Sequence, residues 1–194
     1  MKEDIDRSLD AGLDAAGLGQ GLDAQDRQLL YSELKSAARR QRLAIGSPGG
    51  LQTTALVHET WLRLRDNSAF RDRSHFLASA AVAMRYVLID HIRAVTSEKR
   101  TRPGAEAWAD ESLLAHLKPS RHLEVLAIHD ALQDLVDIKP RCVRVIECRF
   151  FAGYTDSETA LALDINERTV RRDWEFARAW LRVRLQGPDQ ESIW

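Results

Sequence analysis

The chain has 194 residues, a formal net charge of −1, 44% hydrophobic and 29% charged side chains, and only 10 glycines and 5 prolines. This composition argues against a disordered or collagen-like chain and favours one or two all-helical globular domains. No apolar run is long enough to cross a membrane and the acidic N-terminus lacks an apolar signal core, so we expect a cytoplasmic protein.

Charge is unevenly distributed along the chain. Residues 31–102 carry thirteen basic and six acidic side chains, whereas residues 1–30 carry three basic and seven acidic ones. Residues 103–139 are again acidic, with three basic and seven acidic side chains. The basic block suggests a polyanionic partner, although a solvated basic face is an alternative.

The first half of the chain predicts a helical domain at residues 23–102, after a weakly ordered, glycine-rich segment at 1–22. Apolar spacing predicts a helix near Thr53–Arg65 and a long helix at His75–Arg93, joined by a polar loop. In and beside that loop, Phe70 and Phe76 alternate with arginines, a pattern that suits single-stranded nucleic acid. Alternatively, both rings close the loop against the core, which we favour for Phe76.

The second half begins after an acidic linker at residues 103–121 and predicts a helical domain at 122–186, with a short tail at 187–194. Pro140 starts a helix whose expected core face ends in Phe150. Cys142 and Cys148 are expected to be buried, unbridged thiols.

Two helices and a short turn are predicted between Thr155 and Leu185. Thr155 and Glu158 form a potential capping box, and Asn166 is a good N-cap for the second helix. Ala160, Leu161 and Leu163 give the first helix an apolar side; Val170, Trp174, Ala177 and Leu181 form the buried stripe of the second.

The arginines of the second helix lie mostly off its buried stripe, at positions 168, 171, 172, 178 and 182. This arrangement is typical of a helix-turn-helix, in which the second helix reads the DNA major groove. A plain antiparallel helix pair with a solvated charged face remains an alternative.

No pattern predicts catalysis. The six histidines form no H-E-x-x-H or similar metal spacing, and the chain contains no Gly-rich phosphate loop or nucleophile elbow. We therefore expect no enzyme activity, no catalytic residues, no metal and no cofactor.

Three stretches carry a family resemblance: LVHETWLRL at 56–64, HFLASAAVAMRYVLIDHIRA at 75–94, and ECRFFAGYTDSETALALDINERTVRRDWEFARAWLR at 147–182. In this order, the chain resembles bacterial extracytoplasmic-function (ECF) sigma factors over most of residues 24–186. It looks most like the subgroup associated with Ser/Thr protein kinases. The resemblance implies two small helical domains, sigma region 2-like and helix-turn-helix region 4-like, that bind core RNA polymerase and direct promoter recognition, DNA melting and transcription initiation at a restricted promoter set.

The resemblance also implies roles for individual residues. Polymerase binding would involve Leu56, Val57, His58, Glu59, Trp61 and Leu62. The melted minus-ten element would be held by Arg71, Arg73, Ser74, His75 and Phe76, and DNA there contacted by Arg85, Asp90, His91, Arg93, Lys99 and Arg100. The minus-thirty-five element would be read by Arg168, Thr169, Arg171 and Arg172.

The chain departs from the family pattern at two places. Where many ECF sigma factors carry an acidic tetrad that helps to bind polymerase, residues 52–55 are Gln, Thr, Thr and Ala. We hypothesise that a Ser/Thr kinase phosphorylates Thr54, or less favourably Thr53, and so restores the charge; the alternative is a simple N-cap. Asp164 replaces the usual turn glycine, and aspartate tolerates left-handed geometry.

Two other readings compete with a sigma factor under kinase control. Control by an anti-sigma factor, alone or with a kinase, is also compatible with the sequence. A stand-alone helix-turn-helix regulator that never recruits polymerase is the alternative function. Binding to core polymerase separates that alternative from a sigma factor.

Overall fold

The computed structural model describes residues 24–45, 51–65, 70, 72–101 and 119–186. The predicted N-terminal segment, the C-terminal tail and most of the predicted linker lie outside these residues. Throughout the described ranges every regular element is helical, which confirms the all-α prediction. None of these helices is both long and apolar enough to cross a membrane.

Seven α-helices and one π-helical turn make up the described structure. We number them in chain order as α1 Ala24–Ile45, α2 Thr53–Arg65, α3 Arg73–Thr101, α4 Pro119–Ile138, α5 Pro140–Ile146, the π-helical turn Glu147–Phe151, α6 Asp156–Leu163 and α7 Glu167–Gln186.

The N-terminal half, α1 to α3, packs around fully buried apolar side chains. Helix α2 lies against both α1 and α3. Trp61 and Phe76 meet in this core with their ring centroids 5.9 Å apart, and Leu34, Leu56 and Met84 are almost completely buried beside them. Burial of this kind stabilises by about 1.5–3 kcal/mol for each large side chain.

Helix α3 is longer than the sequence predicted and begins two residues earlier. The Asp72 carboxylate accepts a hydrogen bond from the backbone N–H of His75 at 2.8 Å and one from the Ser74 hydroxyl at 2.6 Å. Asp72 therefore caps the helix, and part of the predicted loop becomes its first turn. The C-terminal end of α3 runs on to Thr101.

In the C-terminal half, α5 continues into the π-helical turn. The prediction that Phe150 ends the core face of this helix was wrong by one residue, because the wider turn shifts the register. Phe151 is fully buried, and Phe150 is only partly buried. Cys142 and Cys148 are buried free thiols, as predicted.

The two halves form one continuous core. Helix α3 packs against α6, the π-helical turn and α4, and α1 also reaches α4. The sequence left the relative arrangement of the halves open; in the structure they are closed against each other.

Candidate nucleic-acid interface

A reciprocal cap fixes the start of α6. Thr155 Oγ1 accepts a hydrogen bond from the backbone N–H of Glu158 at 3.2 Å, and Glu158 Oε2 accepts one from the N–H of Thr155 at 2.6 Å. These bonds form the predicted capping box. Burial pushes the pKa of Glu158 up, but hydrogen bonds from Thr155 and from Arg40 outweigh this effect and leave the pKa below its usual value.

The buried side of α6 differs from the predicted one. Thr159 and Ala162 are buried, whereas Leu161 is 46% exposed. The prediction was wrong because α6 packs against α3 of the other half as well as against α7. The periodicity of so short a helix cannot indicate a contact that comes from a distant part of the chain.

The turn between α6 and α7 forms although Asp164 stands where glycine is usual. Asp164 adopts left-handed geometry, with φ 52° and ψ 48°, which aspartate tolerates better than most residues. Asn166 Oδ1 then accepts a hydrogen bond from the backbone N–H of Thr169 at 2.8 Å. The predicted N-cap is confirmed.

The inner side of α7 follows the predicted stripe. Val170, Ala177 and Leu181 are buried, and Trp174 is half-buried. The Arg149 guanidinium lies 4.4 Å from the centroid of the Trp174 ring, a cation–π contact between the π-helical turn and α7. The helix is thus anchored from behind.

An ion pair that sequence reasoning missed also anchors α7. Asp173 is buried and accepts a hydrogen bond from Arg141 Nη2 at 3.2 Å. This bond raises the pKa of Arg141. The available signal was its spacing: Asp173 lies three residues after Val170 and four before Ala177, on the buried side of the helix, and a carboxylate buried there needs a cation.

The outer side of α7 presents four of the five predicted arginines, at positions 168, 171, 172 and 182, whereas Arg178 is half-buried. Together with the end of the turn, it lines a broad open depression formed by Asn166, Arg168, Thr169, Arg171, Arg172 and Glu175. Exposed guanidinium groups around a shallow depression can bind phosphates and base edges. The structure brings the four predicted minus-thirty-five residues together on this one surface.

The predicted polymerase-binding residues of α2 fall into two groups. His58 and Glu59 are exposed and Leu62 is half-buried. Leu56, Val57 and Trp61 belong to the core. Only the first group can contact a partner in this arrangement, and the second holds α2 in position.

The predicted minus-ten loop is mostly the first turn of α3. Phe76 is fully buried, and Phe70 packs edge-on against it with the ring centroids 5.3 Å apart. Arg73 pairs with Glu33 of α1, and Arg71 lies outside the described residues. Neither phenylalanine ring offers a face to solvent on which a base could stack.

Further along α3 the predicted DNA-contacting residues alternate between surface and core. Asp90 is exposed and pairs with Arg63. Arg93 is 56% exposed and 4.0 Å from Asp130; His91 is half-buried. Lys99 and Arg100 lie in the last turn of α3, and their side chains are outside the described structure.

Arg85 is the exception on α3, because it is only 3% exposed. Its Nη1 donates to Glu147 Oε1 at 2.8 Å, and its Nε donates to His129 Nδ1 at 3.0 Å. Burial, and then the charge of Arg85, lower the pKa of His129. The guanidinium is thus enclosed between the two halves rather than presented to DNA, and no local sequence signal identified Glu147 or His129 as its partners.

No group of three His, Cys, Asp or Glu side chains in the described ranges is placed to hold a metal ion. The arrangement offers binding surfaces instead, with exposed arginines on a well-anchored helix.

Comparison with known proteins is consistent with this geometry. No curated protein and no solved structure matches the chain. The family model for ECF sigma factors matches residues 20–187, which include all the described helices. The chain therefore belongs to the ECF sigma factor family.

Proposed function

We propose that this ECF sigma factor serves a restricted promoter set and that threonine phosphorylation at the start of α2 activates it. Members of its family bind core RNA polymerase and promoter DNA and direct transcription initiation. The observation that supports a role at promoters most strongly is the outer surface of α7, where arginines surround an open depression on an anchored helix.

Promoter contacts are divided between α7 and α3 in this proposal. Arg168, Thr169, Arg171 and Arg172 read the minus-thirty-five element in the major groove. Asp90, His91 and Arg93, with Lys99 and Arg100 at the end of α3, contact DNA near the minus-ten element. The excess of basic residues between 31 and 102 supports this assignment, because phosphate contacts supply much of the affinity for DNA.

Polymerase contacts come from the exposed side of α2. His58, Glu59 and Leu62 are accessible there, and the core residues beside them hold the helix rigid. The first turn of α2 contains no acidic residue. Many ECF sigma factors use acidic side chains at this position to bind polymerase. We therefore expect the unmodified chain to bind polymerase weakly.

Thr54 is the better phosphorylation candidate of the two threonines. It is exposed, whereas Thr53 is half-buried, and a kinase must reach the hydroxyl. Both residues lie in the first turn of α2, where the helix dipole favours a phosphate. A phosphoryl group adds about 1.5–2 negative charges at neutral pH, which replaces the missing acidic charge. A Ser/Thr kinase is the partner that this activation requires, and an anti-sigma factor is a second regulator compatible with the sequence.

The test compares Thr54→Ala with wild type and with Thr53→Ala as the matched control. In cells where the factor is active, we expect Thr54→Ala to abolish transcription from its promoters and Thr53→Ala to retain most of it. Mass spectrometry of the wild type should find the phosphate on Thr54. Equal transcription from Thr54→Ala and wild type would refute activation at this residue.

A further inference from the structure

A cavity of about 350 Å³ lies among α3, α4 and α5. Its walls are mostly apolar and are formed by Val82, Tyr86, Leu132, Val136, Pro140 and Val143. Leu132 and Val143 are buried, whereas Tyr86 and Val136 are 42% and 43% exposed, so the cavity is open to solvent on one side. Concave, mostly apolar cavities of about 300–1,000 Å³ are typical binding sites for small molecules.

Three charged side chains also line this cavity: Arg85, Arg144 and Glu147. The side chains of Arg85 and Glu147 are 4% and 6% exposed and form an ion pair at 2.8 Å. Arg144 is 54% exposed and lies 3.3 Å from the other carboxylate oxygen of Glu147. One carboxylate therefore faces two guanidinium groups, and the described lining carries one positive charge in excess.

The imidazole of His129 does not change this balance of charge. Its Nδ1 accepts the hydrogen bond from Arg85 Nε at 3.0 Å. Burial, and then the charge of Arg85, lower the pKa of His129, which favours the neutral imidazole at neutral pH. The excess positive charge thus stays on the two arginines. A charge beside apolar walls is stabilised by a partner of opposite sign, so the cavity favours an anion.

Arg85 also retains hydrogen-bond donors for such an anion. A guanidinium has five N–H donors, and three of those of Arg85 bond to described residues. The acceptors are Glu147 Oε1, His129 Nδ1 and the His129 backbone carbonyl oxygen. Two N–H groups of this buried side chain have no acceptor within the described part of the chain. Buried donors are rarely left without an acceptor, which indicates room for a further one.

The π-helical turn contributes to the same cavity. Glu147 is its first residue and the residue through which it lines the cavity. Turns of this kind are rare inside helices and are frequently found at functional sites. Together, the charge balance, the free donors and the turn distinguish this cavity from an ordinary surface groove.

We infer that the cavity binds a small monocarboxylate with an apolar body. The carboxylate accepts hydrogen bonds from the remaining donors of Arg85 and Arg144, and the apolar body lies against Tyr86 and Val136. A single negative charge matches the excess of the lining, whereas a phosphate or a dicarboxylate carries more charge than the lining balances. The proposed promoter, polymerase and phosphorylation contacts use none of the residues that line the cavity, so this inference goes beyond the proposed function.

The test titrates the full chain with two carboxylates by isothermal calorimetry, in the absence of polymerase and DNA. Hydrocinnamate has an aromatic body and octanoate a linear one. Hydrocinnamyl alcohol is the matched neutral compound. We expect at least one carboxylate to bind with a Kd below about 1 mM. The alcohol should bind at least about 10-fold more weakly than hydrocinnamate, because it cannot form charge-assisted hydrogen bonds.

Two substitutions then locate the site. Arg144→Gln removes the exposed cation and should weaken carboxylate binding about 10-fold, whereas Val136→Trp fills the cavity and should abolish binding. Arg184→Gln is the matched control for the first, because Arg184 is 58% exposed and pairs with Asp134 outside the lining. Val183→Trp, at a 70% exposed position of α7, is the control for the second. Circular dichroism and thermal unfolding establish that every variant keeps its fold.

Several outcomes would overturn the inference. Neither carboxylate binding the wild type at concentrations up to about 10 mM would exclude the site. Equal binding of the alcohol and hydrocinnamate would exclude recognition of the charge. Carboxylate binding that persists in Val136→Trp would place the ligand elsewhere, and binding unchanged by Arg144→Gln would refute the assigned carboxylate contact. None of these results depends on promoter or polymerase binding, so the proposed function stands or falls separately.

Discussion

The arginines on the outer surface of α7 differ in the ion pairs that they form within the protein. Arg171 pairs with Glu167 at 3.1 Å and approaches Asp156 at 3.7 Å. Arg172 is 3.7 Å from Asp173, and Arg168 has no ion pair with another described residue. Since a paired guanidinium must exchange one partner for another, Arg168 would bind DNA at the lowest cost of the three.

Replacing Arg168 tests this difference. If Arg168 contacts a base bidentately, Arg168→Ala should weaken binding to a minus-thirty-five element by about 1–3 kcal/mol and relax the sequence preference at one position. The measurement is holoenzyme affinity for DNA selected from a random pool. Arg182→Ala, at the far end of the same helix, is the control. Unchanged affinity and unchanged selected sequences would show that Arg168 is not a base-reading residue.

His129 makes the stability of the closed protein depend on pH. Its pKa is lowered from 6.5 by burial first and by Arg85 second; Arg93 also lowers it, while Asp130 and Asp90 raise it. A lowered folded-state pKa means that the unfolded chain binds the proton more readily. The stability that His129 contributes is therefore fully present at a pH above its pKa in the unfolded chain. It is lost as the pH falls below that value and through the lower pKa of His129 in the folded protein.

We expect urea-unfolding free energies to decrease as the pH falls below about 6.5, more steeply for the wild type than for His129→Gln. Glutamine cannot titrate and retains an acceptor for Arg85. Parallel pH profiles of the two proteins would contradict the role of His129.

At the scale of the elements, capping accounts for much of what the sequence could predict. The chain carries its own signals at Thr155, Glu158 and Asn166, and all three act as expected. Asp72 carried a similar signal at the start of α3, just before a long apolar-periodic segment, and using it would have found the correct first turn.

The capping box should make a measurable contribution to stability. Thr155→Ala removes one cap hydrogen bond, and we expect it to lower the unfolding free energy by about 1 kcal/mol. Thr155→Ser keeps the hydroxyl and should stay close to the wild type. Equal losses in the two variants would indicate that the methyl group, rather than the hydrogen bond, matters.

The π-helical turn lies beyond what a local pattern can predict. The apolar spacing of residues 140–152 also fits an ordinary α-helix, which would place Phe150 rather than Phe151 in the core. This spacing does not reveal the extra residue of the π-helical turn. The contacts that accompany the shifted register are tertiary, above all the Arg85–Glu147 pair, whose members are separated by 62 positions in the chain.

For the whole molecule, the sequence predicted two helical halves but not how they pack. The contacts of Arg40 join positions 113 and 118 residues apart, and no periodicity extends over such distances. The charge pattern predicted a polyanionic partner, but it did not indicate which charged side chains would form contacts within the protein. Two arginines from the basic block of residues 31–102, Arg40 and Arg85, bond to the C-terminal half, and Arg85 is buried there.

Binding to core RNA polymerase is the measurement that tests the central claim most directly. Purified protein, unmodified and as Thr54→Glu, is titrated with core polymerase and then assayed for promoter-specific transcription. We expect the glutamate form to bind core polymerase one to one and to support transcription, and the unmodified form to bind weakly and to support little transcription. DNA binding through α7 by both forms, without polymerase binding by either, would contradict the account and favour a stand-alone DNA-binding regulator.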